Sequence, residues 1–117
     1  MKVLSLNVKA GPTACDIALS MVENEIEVLS ISQETKVLKV IHGYGSHGVG
    51  GVIKRELPLL LKRLKQQGKI VDFIQNEKFT KNNQEYKKYF NLYPELILDS
   101  DLQNFNPGIT IIFLKWF

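Results

Sequence analysis

Apolar residues recur along the chain with two different periods. Val3, Leu4, Leu6 and Val8, set among Ser5 and Asn7, predict a short strand over 2–8. Gly11 and Pro12 end it. Thr13 with Asp16 three residues later resembles a capping box, Asp standing for the usual Glu. Ala14, Ile17, Ala18 and Met21 follow at helical spacing and predict a helix over 14–28. Residues 36–42 are apolar at Val37, Leu38, Val40 and Ile41, the pattern of a strand buried on both faces, as in a parallel sheet. A helix is predicted over 50–67 on the stripe Ile53, Leu57, Leu60, Leu61 and Leu64, with Gly68 as its C′ residue. Pro58 inside that stripe predicts a kink or a late restart.

A third strand is predicted over 70–75. A fourth is predicted over 109–115, carried by Ile109, Ile111, Ile112, Phe113 and Leu114. The connection between them, about 76–107, is too long to lack structure in a compact domain. A helix over 83–93 would put Tyr86, Tyr89, Phe90 and Tyr93 on one face. The order β-α-β-α-β-insert-β predicts a single α/β sandwich domain over 1–117, with crossover helices.

Composition narrows the classes. The chain has 117 residues, 44% hydrophobic and 23% charged, enough for one core without staples. A single cysteine, Cys15, excludes an internal disulfide framework and a cysteine-rich zinc site. In a helix first turn its thiol pKa would be lowered by the dipole, but no catalytic partner is evident and a structural role is expected. The first eight residues do not read as a signal peptide, and no run approaches the ~18 apolar residues of a membrane span. A reduced, cytoplasmic setting is the expectation.

Charge is uneven. Lys54, Arg55, Lys62, Arg63, Lys65, Lys69, Lys78, Lys81, Lys87 and Lys88 face only four acids in the same segment, giving it +6 where the whole chain carries +3. A basic middle between acidic flanks suits a polyanion such as nucleic acid, and equally a solvated helix face.

The candidate chemistry lies in the loop from His42 to Gly51, which holds five of the eight glycines. It joins a buried strand to a helix start. Such a turn is expected to aim backbone N–H groups outward, beside the positive end of the helix dipole, and to favour phosphate. Walker A fails, because Val49 stands where Lys is required. Gly43-Tyr44-Gly45-Ser46-His47-Gly48 matches G-x-G-x-x-G, but without the acid that a dinucleotide fold needs at the next strand end. His42, at its strand end, is the candidate general acid or base, or the residue that merely orders the turn; His47 could assist. Two strands joined by a right-handed crossover end on the same sheet edge. The expected site therefore joins Asn7 and Lys9, the loop with Tyr44, Gly45 and Ser46, and Lys54 and Arg55. Tyr44 could stack on a base. The tyrosine-rich stripe, interleaved with Lys87 and Lys88, could do the same or pack in the core, and Trp116 and Phe117 read as strand-end packing or, if exposed, a dimer contact.

Val40-Ile41-His42-Gly43-Tyr44-Gly45 resembles the I-H-G-x-G hallmark of the Smr (small MutS-related) domain family. Leu4-Ser5-Leu6-Asn7 sits where that family has L-D-L-H/R-G, and Asn106-Pro107-Gly108-Ile109-Thr110-Ile111-Ile112 is similar to its closing strand. The resemblance covers most of the chain outside the insert and looks like a standalone bacterial branch. It implies a two-layer sandwich: a four-stranded mixed sheet with two main helices on one face, similar to the C-terminal domain of translation initiation factor three. It implies nucleic-acid binding through His42, Gly43 and Gly45, with endonuclease (nicking) activity on DNA or RNA as in several members. Ser5 replaces the family's first-motif acid and Asn7 its His or Arg, which favours a non-catalytic binding or adaptor module as the alternative. No cofactor is evident, and a divalent metal would have one candidate carboxylate, Asp16.

Overall fold

A computed structural model describes residues 2–8, 15–32, 35–43, 50–78, 84–93, 96 and 106–115. Four strands form one mixed sheet in the order β1-β2-β4-β3: β1 Lys2–Asn7, β2 Thr35–Ile41, β3 Asp72–Gln75 and β4 Ile109–Phe113. β1 and β2 run parallel, with Asn7 opposite Ile41. β4 runs antiparallel to both β2 and β3, so the last strand is inserted between earlier ones. The α/β two-layer expectation holds.

The two crossover helices are α1 Cys15–Leu29 and α2 Gly50–Gln66. Each forms because an apolar line recurs at helical spacing and is buried against one sheet face. On α2 the line is Ile53, Leu57, Leu61 and Leu64, all buried with Leu38, Val40 and Ile112. The helix runs unbroken through Pro58, neither stopping nor restarting there. Apolar burial on both sides of the proline outweighs its missing bond, a loss of ~3 kcal/mol in a helix interior. The end of α2 is a Schellman motif. The Gly68 N–H donates to Lys65 O (3.0 Å) and the Lys69 N–H to Leu64 O (2.9 Å). Gly68 takes φ 74°, which a side chain would resist.

On α1 the buried line differs from the expected one. Ala18, Val22, Ile26 and Leu29 face the sheet, whereas Ile17 and Met21 are exposed. The line through Ile17 and Met21 meets Asn24 one turn later; the line through Ala18 stays apolar for the whole helix. Arg63 of α2 meets Glu23 of α1 at 3.3 Å across the outer surface of the pair.

The insert covers part of the opposite sheet face. A single 3-10 turn, Asn76–Lys78, leads toward α3, Gln84–Leu92. Tyr89 and Tyr93 are wholly buried there with Val37, Ile111 and Phe113, so these two residues of the tyrosine stripe are core. The Tyr89 ring stacks on Phe113, centroids 3.9 Å apart, and Tyr93 packs at 5.0 Å. The Tyr89 hydroxyl donates to Asp72 and the Tyr93 hydroxyl to Lys115 O (2.6 Å). Lys39 is buried on this face with its interactions satisfied. Asn76 closes the insert at its base: its Oδ1 accepts the Asn106 N–H (2.7 Å), and Asn106 Oδ1 accepts the Gly108 N–H (2.7 Å). Among the described residues, no helix is long and apolar enough to cross a membrane.

Candidate functional site

Because β1, β2 and β3 share a direction, their C-terminal ends meet at one sheet edge, together with the start of β4 and the first turns of α2. Asn7 lies there, exposed, and the Val8 N–H extends the ladder to Ile41 O (2.9 Å). His42 and Gly43 follow directly. Lys54 and Arg55 stand on the second turn of α2. The structure thus brings together Asn7, His42, Gly43, Lys54 and Arg55. Lys9, Tyr44, Gly45, Ser46 and His47 lie outside the described residues, as do Trp116 and Phe117.

The first two residues of the loop turn their amides inward. The backbone N–H groups of His42 and Gly43, expected to face out toward an anion, both donate to Gly108 O, at 2.9 and 3.0 Å. Gly43 takes φ 74°, the left-handed conformation that glycine adopts without strain. The turn Asn106-Pro107-Gly108 therefore anchors the start of the loop at His42 and Gly43.

His42 is 0% exposed. Its Nδ1 lies 2.6 Å from Gly43 O and its Nε2 2.9 Å from Thr110 Oγ1. A carbonyl can only accept, so Nδ1 carries the proton and donates; Nε2 then accepts the threonine hydroxyl. Both nitrogens of a neutral ring are thereby engaged. The ring fixes the turn to β4; as a proton carrier it would first have to release one of these partners. Burial pushes its pKa below the ordinary 6.5. The Gly43 bond opposes this, the Lys54 ammonium adds to it, and Glu77 opposes it weakly.

Lys54 is itself paired, its Nζ 2.7 Å from Glu77 in the 3-10 turn that follows β3. Arg55 is exposed (side chain 71%) and meets the neighbouring Glu56 at 3.3 Å. Lys65 donates to Asp72 at 3.0 Å. Burial alone would raise the Asp72 carboxyl; bonds from Tyr89, the Phe73 N–H and Lys65 overcome it and hold the pKa below 3.8. The basic segment is therefore partly neutralised by the fold: Lys54, Arg55, Arg63 and Lys65 each meet a carboxylate, while Lys62 and Lys69 are exposed. Cys15 does not gain the lowered pKa expected at a helix start. Burial raises it, with Glu56 and Asp16 adding to the effect against Arg55. Among the described residues, no three His, Cys, Asp or Glu side chains are grouped as metal ligands.

Sequence reasoning missed Thr110, Gly108 and Glu77 as parts of this edge. Thr110 had a signal: it is a polar residue inside an otherwise apolar strand, Ile109–Phe113, and is nonetheless buried.

The buried ring has a pH consequence. The unfolded chain takes up a proton near pH 6.5, but the folded ring takes it up only at lower pH. Stability from His42 is therefore full above about pH 6.5 and falls progressively as pH drops below it. Asp72, also depressed when folded, adds a second loss that begins only near pH 3.8. Urea midpoints from pH 8 to 5 should fall with pH in the native chain and flatten in a His42→Gln variant. An unchanged pH slope in that variant would rule out His42 as the source.

Family models, curated proteins and solved structures were each compared with the chain, and none of the three comparisons produced a match.

Proposed function

We propose that this chain is a nucleic-acid-binding domain of the Smr type that holds the sugar-phosphate backbone at the β1–β2 edge without cutting it. The observation that carries the reading is the meeting, at one edge, of the β1 end, the left-handed turn at Gly43 and the second turn of α2 with exposed Arg55. Ligands of open α/β sheets lie at such edges. Arg55 contributes an exposed cation whose partner among the described residues is a weak surface pair with Glu56, which a phosphate can displace. Lys54, paired with Glu77, is largely neutralised and leaves Arg55 as the main cation of the reading.

The non-cutting reading rests on two points. Ser5, where the resembled family has an acid, is neither a carboxylate ligand nor an equivalent base. His42 is enclosed with both nitrogens bonded to the protein. Its function here is to position the turn.

Labelled DNA and RNA oligonucleotides, titrated at rising salt, should show binding whose log affinity falls linearly with log salt. Arg55→Ala should weaken binding to all sequences alike and lower the slope by about 1. Supercoiled plasmid and RNA incubated with magnesium or manganese should stay uncut. Absence of binding at low salt sinks the reading; nicking that disappears in His42→Ala restores the nuclease alternative. Salt-insensitive, saturable binding of a mononucleotide would instead favour the G-x-G-x-x-G turn as a nucleotide site.

A further inference from the structure

The two helices that cover one face of the sheet carry opposite charge. α1 holds Asp16, Glu23, Glu25 and Glu27 and no lysine or arginine. α2 holds Lys54, Arg55, Lys62, Arg63 and Lys65 against the single acid Glu56. They lie side by side, joined across their outer surface by Glu23 and Arg63. A polyanion that approaches this layer is drawn to α2 and repelled along α1.

Within α2 the charge is sorted by face. Residues of a helix step about 100° apart, so the buried line Ile53, Leu57, Leu61 and Leu64 fixes which way the other positions turn. One flank carries Lys54 and Lys65, which meet Glu77 and Asp72 on the β3 side. The other carries Glu56 and Arg63, turned toward α1. Opposite the buried line stand Arg55, Leu59, Lys62 and Gln66, each four or three residues after the last and each exposed. No acid interrupts them. Among the described residues Lys62 meets no carboxylate. The first turn of α2 carries no acid and its second turn carries Lys54 and Arg55, the reverse of what the helix dipole favours. Helix stability therefore does not account for the arrangement, whereas a negative ligand beside it does.

We infer that the outer line of α2 is the track along which a nucleic-acid strand leaves the β1–β2 edge. The inference rests on the nucleic-acid reading above and extends it from one point to a path. Arg55 stands at the edge, and Lys62 two turns further along. Their separation along the axis is ~10 Å, the rise of roughly three stacked nucleotides. The two cations therefore take phosphates on either side of a short gap. Leu59 lies in that gap, 60% exposed, and offers apolar surface to a sugar or base. Gln66, beyond Lys62, offers an amide that both donates and accepts. The acids of α1 close one side, so the strand runs parallel to α2 rather than across the layer. Phosphate contacts carry no sequence information, so the track takes strands of any sequence.

The probes are labelled oligo(dT) and oligo(U), titrated at several salt concentrations. Lys62→Glu should weaken binding about tenfold or more and lower the salt slope by about 1. Lys87→Glu makes the same charge change at an exposed position of α3, on the opposite face of the sheet. It should change affinity by no more than about twofold, because salt screens exposed charges beyond ~8 Å. Circular dichroism and urea midpoints would verify that both variants are folded. If Arg55→Ala weakens binding and Lys62→Glu does not, the track is overturned while the edge reading stands. Equal losses in the Lys62 and Lys87 variants point to an unspecific field and overturn the track as well. Absence of oligonucleotide binding by the native chain, whether or not it adheres to vesicles of anionic phospholipid, overturns both.

Discussion

Replacing His42 with alanine should destabilise the fold by about 2–4 kcal/mol, whatever it does to nucleic-acid binding. The ring is fully enclosed and bridges Gly43 O to the Thr110 hydroxyl. Its removal leaves a cavity and takes a partner from the buried Thr110 hydroxyl and the half-buried Gly43 carbonyl, each of which is unfavourable. Thr110→Val removes the second partner. In a double-mutant cycle the pair should show a coupling of about 0.5–3 kcal/mol, since the two side chains share one bond. Chemical denaturation of the four proteins measures this directly. A loss within about 0.5 kcal/mol, the range of ordinary surface substitutions, would mean the ring is not the structural brace described and would reopen its role as an exposed acid or base.

Phe113→Ala should destabilise the protein by about 3–5 kcal/mol, the range for deleting a buried aromatic. Phe113 is wholly buried at the end of β4, opposite both Val37 and Asp72 in register. It is also the platform on which Tyr89 and Tyr93 of the insert rest. Its loss should therefore act twice, once on the sheet and once on α3. Trypsin cleavage at Lys87 and Lys88 should accelerate in the variant more than its global stability alone accounts for. Phe113→Leu, which keeps much of the volume, should recover most of the loss. Equal proteolysis of α3 in native and variant chains, compared at matched global stability, would show that the insert is held by other contacts.

These two residues also mark where the sequence was readable and where it was not. The elements were legible because each carries a strong period: Ile53, Leu57, Leu61 and Leu64 for α2, and the continuous run Ile109–Phe113 for β4. Gly68 was legible as a helix stop because few residues other than glycine take that backbone conformation easily. The face of α1 was not, because two adjacent lines both begin apolar and only packing over the full helix selects Ala18 and Val22. The continuity of α2 through Pro58 was hidden for the same reason. At the candidate edge, the parallel pairing that brings Asn7 beside Ile41 followed from the crossover rule. The inward aim of the His42 and Gly43 amides did not, since their acceptor, Gly108, is far along the chain and nothing local announces it.

The position of β4 has a consequence for how the chain comes off the ribosome. β1 and β2 can associate as soon as α1 is made, but β3 has no neighbour until Ile109–Phe113 has emerged to fill the gap between it and β2. Contacts so distant in sequence slow folding and leave unpaired edges exposed during synthesis. The nascent chain must therefore wait, sheet incomplete, until Phe113 has emerged. Premature termination before β4 would leave no smaller folded version of this domain, only a fragment for chaperones and proteases to handle.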